Sequence, residues 1–169
     1  MVLNLDTVQH DIDQWLQNFV EVPHTALGGF PPCPFARSAR LKKSYSVRLG
    51  IDPYFDLKNQ AQWGMGTWEV IIYVYDQQQW NHDMFSASLH SANVEHLLPK
   101  DIIALEDHPS DVEIVNGVCM NQGTYALALV QTLSDLNHKA KLMNKQGFYD
   151  TWPEHYLQCL FQHRQDPRQ

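Results

Sequence analysis

The apolar run Val70–Tyr75 (VIIYVY) places the tightest limit on the fold of this chain. β-Branched, aliphatic and aromatic residues in unbroken succession suit a central strand of a sheet. The run is of strand length, far short of the ~20 residues that a membrane-spanning helix needs. A sheet protein without a membrane span is therefore the starting expectation.

The patterning on either side supplies the other elements. Val8, Ile12, Trp15, Leu16, Phe19 and Val20 recur at helical spacing behind Asp6, a candidate cap, and Pro23 ends the helix. Tyr45, Val47 and Leu49 alternate with polar residues and predict a strand. A loop holding Asp52, Pro53, Gly64 and Gly66 leads to the central strand. Asp76 then opens a helical stretch through Trp80, Met84, Phe85 and Leu89 toward Leu98. A third strand is predicted over Asp101–Leu105, a short edge strand at Val112 and Ile114 with a turn at Asn116-Gly117, and another strand over Tyr125–Val130. Leu133, Leu136, Ala140 and Met143 mark a helix that stops near Gly147. The last helix starts at Asp150 or Thr151, with Pro153 in its first turn. The order α-β-β-α-β-β-α-α predicts an α+β fold, a single mixed sheet with helices packed on it, in a ferredoxin-like or related sandwich.

The 169 residues suit one domain spanning 1–169, with 162–169 a frayed polar tail. The N-terminus lacks a basic stretch followed by an apolar one, so no signal peptide is expected. Three widely spaced cysteines, Cys33, Cys119 and Cys159, form neither a disulfide framework nor a paired-cysteine zinc motif. Together these features predict a cytoplasmic protein. The formal net charge of −7 argues against nucleic acid as a partner. Positive charge is nevertheless concentrated: Arg37, Arg40, Lys42, Lys43 and Arg48 are five of the twelve Lys and Arg residues. That segment could face an anionic small molecule or an acidic protein partner.

Two segments carry candidate chemistry. In Pro32-Cys33-Pro34-Phe35-Ala36-Arg37, Cys33 would cap a short helix, where the helix terminus and Arg37 and Arg40 would lower the thiol pKa and favour the nucleophilic thiolate. A buried, inert cysteine in a proline-shaped turn is the plainer alternative. In Glu106-Asp107-His108-Pro109, followed by Asp111, His108 sits at the end of a predicted strand. It could act as a base or as a metal ligand with Asp107; a polar turn accounts for the same residues. His24 shares the Gly/Pro segment with Cys33. Most of the other histidines, which include His82, His90, His155 and His163, read as helix-surface residues.

The elements Trp15-Leu16, Cys33-Pro34-Phe35-Ala36 and His108-Pro109 resemble those of a bacterial family of unknown function. Its features are a leading amphipathic helix, a Leu-Cys-Pro-Phe-Ala signature and a later strand ending in His-Pro. The likeness extends to Asn116 or Asn121 and to Tyr125, and it implies that Cys33 and His108 belong to one site. Here Pro31-Pro32 stands where that family has Asn-Leu, and a Gly/Trp loop stands in place of its acidic helix. The segment Gly147–Tyr156 is similar to hypothetical proteins carried by phages of photosynthetic bacteria.

The expected function is a small enzyme acting on an anionic small molecule or modified side chain. Cys33 would be the nucleophile, His108 the base, Asp107 its orienting partner, and Arg37 and Arg40 the anion-holding groups. A mononuclear zinc or iron variant would use His24, Cys33 and His108 as ligands. A non-catalytic accessory protein binding an acidic partner through residues 37–48 is the alternative from another class.

Overall fold

A computed structural model describes residues 2–169. Its strands are β1 (Tyr45–Leu49), β2 (Val70–Tyr75), β3 (Ile102–Asp107), β4 (Ile114–Val115), β5 (Val118–Cys119) and β6 (Ala126–Thr132). Its α-helices are α1 (Leu5–Trp15), α2 (Ala36–Leu41), α3 (Pro53–Trp63), α4 (His82–Ala92), α5 (Leu133–Lys145) and α6 (Glu154–Leu160). The fold is α+β, built on one mixed four-stranded sheet in the order β1-β2-β6-β3.

The topology follows from the connections. The helices α3 and α4 each return the chain to the end of the sheet from which it left. As a result β1 pairs parallel with β2, and β3 runs in the same direction. β6 arrives through the β4–β5 hairpin instead and inserts antiparallel between β2 and β3. The hairpin turns at Asn116 and Gly117, both at positive φ (51° and 81°), as a tight two-residue turn demands.

Period-2 alternation sorts the strand residues onto two faces, and helices cover both. Ile71, Tyr73 and Tyr75 join Ala104, Ala126, Ala128 and Val130 against Leu57 of α3 and Phe85 and Leu89 of α4. The three alanines leave room for the Phe85 ring, which is wholly buried. On the opposite face Val47, Ile72, Val74 and Leu127 pack on Val8, Ile12, Leu16 and Val20 of α1 and the π-helical turn that extends it. A third cluster, with Leu27, Val115, Phe148, Trp152, Leu157 and Phe161, ties α5, α6 and the hairpin to the Gly/Pro segment.

Several elements differ from their expected form. The expected loop after β1 is the helix α3, opened by Asp52, whose side chain accepts from the Phe55 N–H at 3.2 Å, with Pro53 in its first turn. Its buried positions are Pro53, Leu57, Gln60 and Ala61, a set too polar and small to read as an apolar stripe. Asn4 and Asn81, rather than Asp6 and Asp76, cap α1 and α4. Residues 162–169 fold back instead of fraying. Asn144 Nδ2 donates to the Pro167 carbonyl at 3.2 Å, and Arg168 pairs with Glu154 at 2.6 Å. Among the described residues no helix is long and apolar enough to cross a membrane.

Candidate functional site

α1 and its π-helical turn do not reach the whole of their sheet face. Leu105 on β3 and its cross-strand partner Leu129 on β6 remain only partly covered. The gap toward α5 and the segment 152–163 is a cavity of about 570 Å³, a size that suits a small molecule. Trp15, Phe19, Leu105, Leu129, Leu136 and Trp152 form much of its apolar wall. The cavity continues round the free edge of β3 to Ser86 and His90 of α4. That edge is blunted by Asn93, a buried side chain that donates to the Ala104 carbonyl at 2.9 Å and accepts from the Ala104 N–H at 2.8 Å.

One end of the cavity is acidic. Glu106, Asp107, Asp111 and Glu113 line it, and among the described residues no lysine or arginine does. Asn121 holds the loop that carries these groups, donating to Asp107 Oδ1 (2.8 Å) and to the carbonyls of His108 (3.1 Å) and Asp111 (3.0 Å). Asp107 Oδ2 accepts from the Gln122 N–H at 2.9 Å. Burial pushes the Asp107 carboxyl above the usual range against these bonds. Burial also pushes Glu113 up to about 7, although the Tyr156 hydroxyl donates to it at 3.0 Å and works in the opposite direction.

Three potential ligands converge at this end. His82 begins α4, Glu106 lies near the end of β3, and Asp111 sits in the loop beyond. One donor atom from each falls within 4.8 Å of the others. His82 Nε2 is 3.5 Å from Asp111 Oδ2 and 4.0 Å from Glu106 Oε1. Ligands about 2.1 Å from a tetrahedral ion stand about 3.4 Å apart, so the His82–Asp111 spacing matches and the His82–Glu106 spacing is about 0.6 Å long. His82 Nε2 is shielded from solvent and makes no hydrogen bond.

The residues expected to form one site are placed differently. Cys33 does line the cavity, as does Asp107. His108 does not: it is buried, its Nδ1 accepts from the Ser110 N–H at 3.1 Å, and its Nε2 donates to the Trp80 carbonyl at 2.8 Å. Both ring nitrogens therefore hold backbone, and the ring packs between Phe85 and His82. The hydrogen bonds of Asp107 go to Asn121 and Gln122, so it does not orient the His108 ring.

The Cys33 thiol is shifted upward, opposite to expectation. The helix α2 is only six residues long and begins at Ala36 with Phe35 as its cap, so Cys33 is not at its N-terminal position. The residue keeps some exposed surface, but loss of solvation at the sulfur raises the thiol pKa. That outweighs the lowering effects of the Phe35 and Ala36 N–H groups and of Lys139. Lys139 is the nearby cation, not the arginines. Arg40 is held in a two-point pair by Glu21 (2.6 and 3.0 Å), and Arg37 is exposed and off the cavity wall. His24 packs its ring on Phe19 and also lies off the wall. Among the described residues the metal-competent group is His82–Glu106–Asp111, not His24–Cys33–His108.

Glu106 and Asp111 belong to a recognisable acidic turn after a strand, but nothing in the spacing of the chain ties them to His82. The one local signal is a histidine directly after a helix-capping asparagine. No family model, curated protein or solved structure matches this chain.

Proposed function

We propose that this chain is a mononuclear metal protein, with His82, Glu106 and Asp111 as ligands of a divalent cation and the adjoining cavity as its substrate site. The observation that carries the reading is the convergence of those three donor atoms around a shielded His82 nitrogen without a hydrogen-bond partner. Electrostatics support it. Four carboxylates border the cavity with no lysine or arginine among the described residues beside them, and a dication offsets the repulsion between Glu106 and Asp111. One imidazole with two carboxylates suits zinc, iron(II) or manganese(II). Three protein ligands leave coordination positions for water and substrate. An ion held there would polarise a substrate oxygen or activate water, which makes hydrolysis the reaction class. In this reading His108 supports the ligand set from behind, through its ring contact with His82. A thiol mechanism at Cys33 is not favoured, because burial keeps the sulfur protonated.

The test is titration of the chelator-stripped protein with Zn²⁺, Mn²⁺ and, without oxygen, Fe²⁺, followed by calorimetry and thermal melting. At least one ion is expected to bind with a Kd of roughly micromolar order and, at a hundredfold excess over Kd, to stabilise the protein by about 2.7 kcal/mol. His82→Ala should weaken binding at least ~10-fold, the loss that even outer-shell changes produce. Failure of all three ions to bind, or unchanged binding in His82→Ala, would overturn the reading.

A further inference from the structure

We infer that the cavity along β3 takes a protonated amine with an apolar, ring-sized body, its ammonium group held by the Glu113 carboxylate. The size and wall set the body: about 570 Å³, faced by Trp15, Phe19, Leu129 and Trp152. The polar groups set the head. Glu106, Asp107, Asp111 and Glu113 border the cavity, and among the described residues no lysine or arginine does. Lys139, the cation near Cys33, is already taken by Asp135 at 2.8 Å and Glu69 at 3.6 Å. The wall also carries acceptors in Gln131, Gln162, His90 and His163, whose side chains make no hydrogen bond among the described residues.

An ammonium group brings three donors, no acceptor and the charge that this wall lacks. A carboxylate or phosphate would meet groups of its own sign, and a neutral amide would leave their charge unanswered. The aromatic wall does not oppose a cation, since the face of a ring attracts one. Glu113 is the carboxylate left for the head. Glu106 and Asp111 face the His82 ring, at 4.0 and 3.5 Å, in the metal site proposed above. Both oxygens of Asp107 are held, by the Asn121 amide and the Gln122 N–H. Glu113 accepts from the Tyr156 hydroxyl at Oε2, and its Oε1 has no hydrogen-bond partner among the described residues. Glu113 is half-buried, so an ion pair formed there is screened less than one in open water. This names a substrate class for the cavity and rests on the metal reading only for the word substrate; recognition of the ammonium group by Glu113 does not require the ion.

The experiment uses three probes with one body, 4-phenylbutylamine, 4-phenylbutanamide and 4-phenylbutanoate, added to the full chain stripped of metal. At about pH 8 the amine is protonated and the acid ionised. Binding is followed by ligand-observed NMR and calorimetry. The amine is expected to bind at least about tenfold more tightly than the amide or the acid, the worth of one hydrogen bond to a charged group. Glu113→Gln, which keeps the shape but removes the charge, should weaken the amine about tenfold and leave the amide nearly unchanged. Leu129→Trp should abolish binding of the amine by filling the cavity. If Glu113→Gln does not fold, Glu113→Asp, which withdraws the carboxylate by one carbon, is read the same way; Leu129→Phe likewise stands in for Leu129→Trp. No binding of the amine, preference for the amide or acid, or an unchanged amine affinity in either folded variant would overturn the inference. Because these measurements are made without metal, they fail or succeed separately from the metal titration.

Discussion

Removing the Asn93 side chain tests how the edge of the sheet is kept closed beside the site. Asn93 lies in the π-helical turn Asn93–Leu97 that follows α4 and is 8% exposed. Its amide imitates a strand, giving one hydrogen bond to the Ala104 carbonyl and taking one from the Ala104 N–H. Those backbone groups point away from β6 and have no strand on that side, since β3 ends the sheet. Asn93→Ala leaves both of them buried and unmet, with Ala104 only 4% exposed. At about 1–3 kcal/mol per unmet group, the expected loss is about 2–6 kcal/mol. For a chain of this length that corresponds to a fall in Tm on the order of 10 °C. Urea unfolding followed by tryptophan fluorescence should show a lower midpoint with an unchanged slope, and the Ala104 amide should exchange with solvent faster. Asn93→Asp makes the same contact pH-dependent. Its carboxylate would face the Ala104 carbonyl, so its folded-state pKa would be raised. The acid form, which can donate to that carbonyl, would therefore be favoured, and stability should recover as pH falls. A loss below about 0.5 kcal/mol in Asn93→Ala, with Ala104 exchange unchanged, would refute the reasoning.

Cysteine chemistry and strand packing give further expected outcomes. Cys33 should react with iodoacetamide more slowly than the exposed Cys119 and Cys159, as read by peptide mass spectrometry; fastest labelling at Cys33 would contradict its burial. Its thiol pKa lies above the ordinary 9.0, so the folded chain keeps a proton that the unfolded chain releases; stability should fall as pH rises past that value, and Cys33→Ala should flatten the fall. Gly50→Ala would drive a Cβ into the ring of Tyr75, which is 1% exposed and hydrogen-bonded to Asp56. A loss of about 1–3 kcal/mol in thermal melting is expected, partly recovered by a smaller residue at position 75, and an unchanged Tm would show that the ring can move aside.

Elements with strong local patterning are legible in the amino-acid sequence alone. The run at Val70–Tyr75 is β2, the helical spacing from Val8 to Val20 is α1 with its π-helical turn, and Asn116-Gly117 turns a hairpin. The helix α3 is not legible in this way because its inner face is held by a polar contact: Gln60, 1% exposed, bonds to Arg48 of β1 and Tyr73 of β2. No periodicity within residues 53–63 announces partners on other elements.

The candidate site shows the same division more sharply. Cys33 and the acidic turn at 106–111 stand out as chemistry-bearing segments, and the cavity touches both. What each residue does there is set elsewhere. His108 is bound by Trp80 and Ser110, Arg40 by Glu21, and the solvation lost at Cys33 outweighs the neighbouring N–H groups. Patterning over a few residues tells which side of a strand or helix turns inward, because that depends on side chains one turn or one pleat apart. Whether His82 meets Glu106 and Asp111 depends instead on β6 inserting beside β3 and on α4 lying against that edge. These are long-range contacts distributed over the whole chain, and no short stretch of residues encodes them.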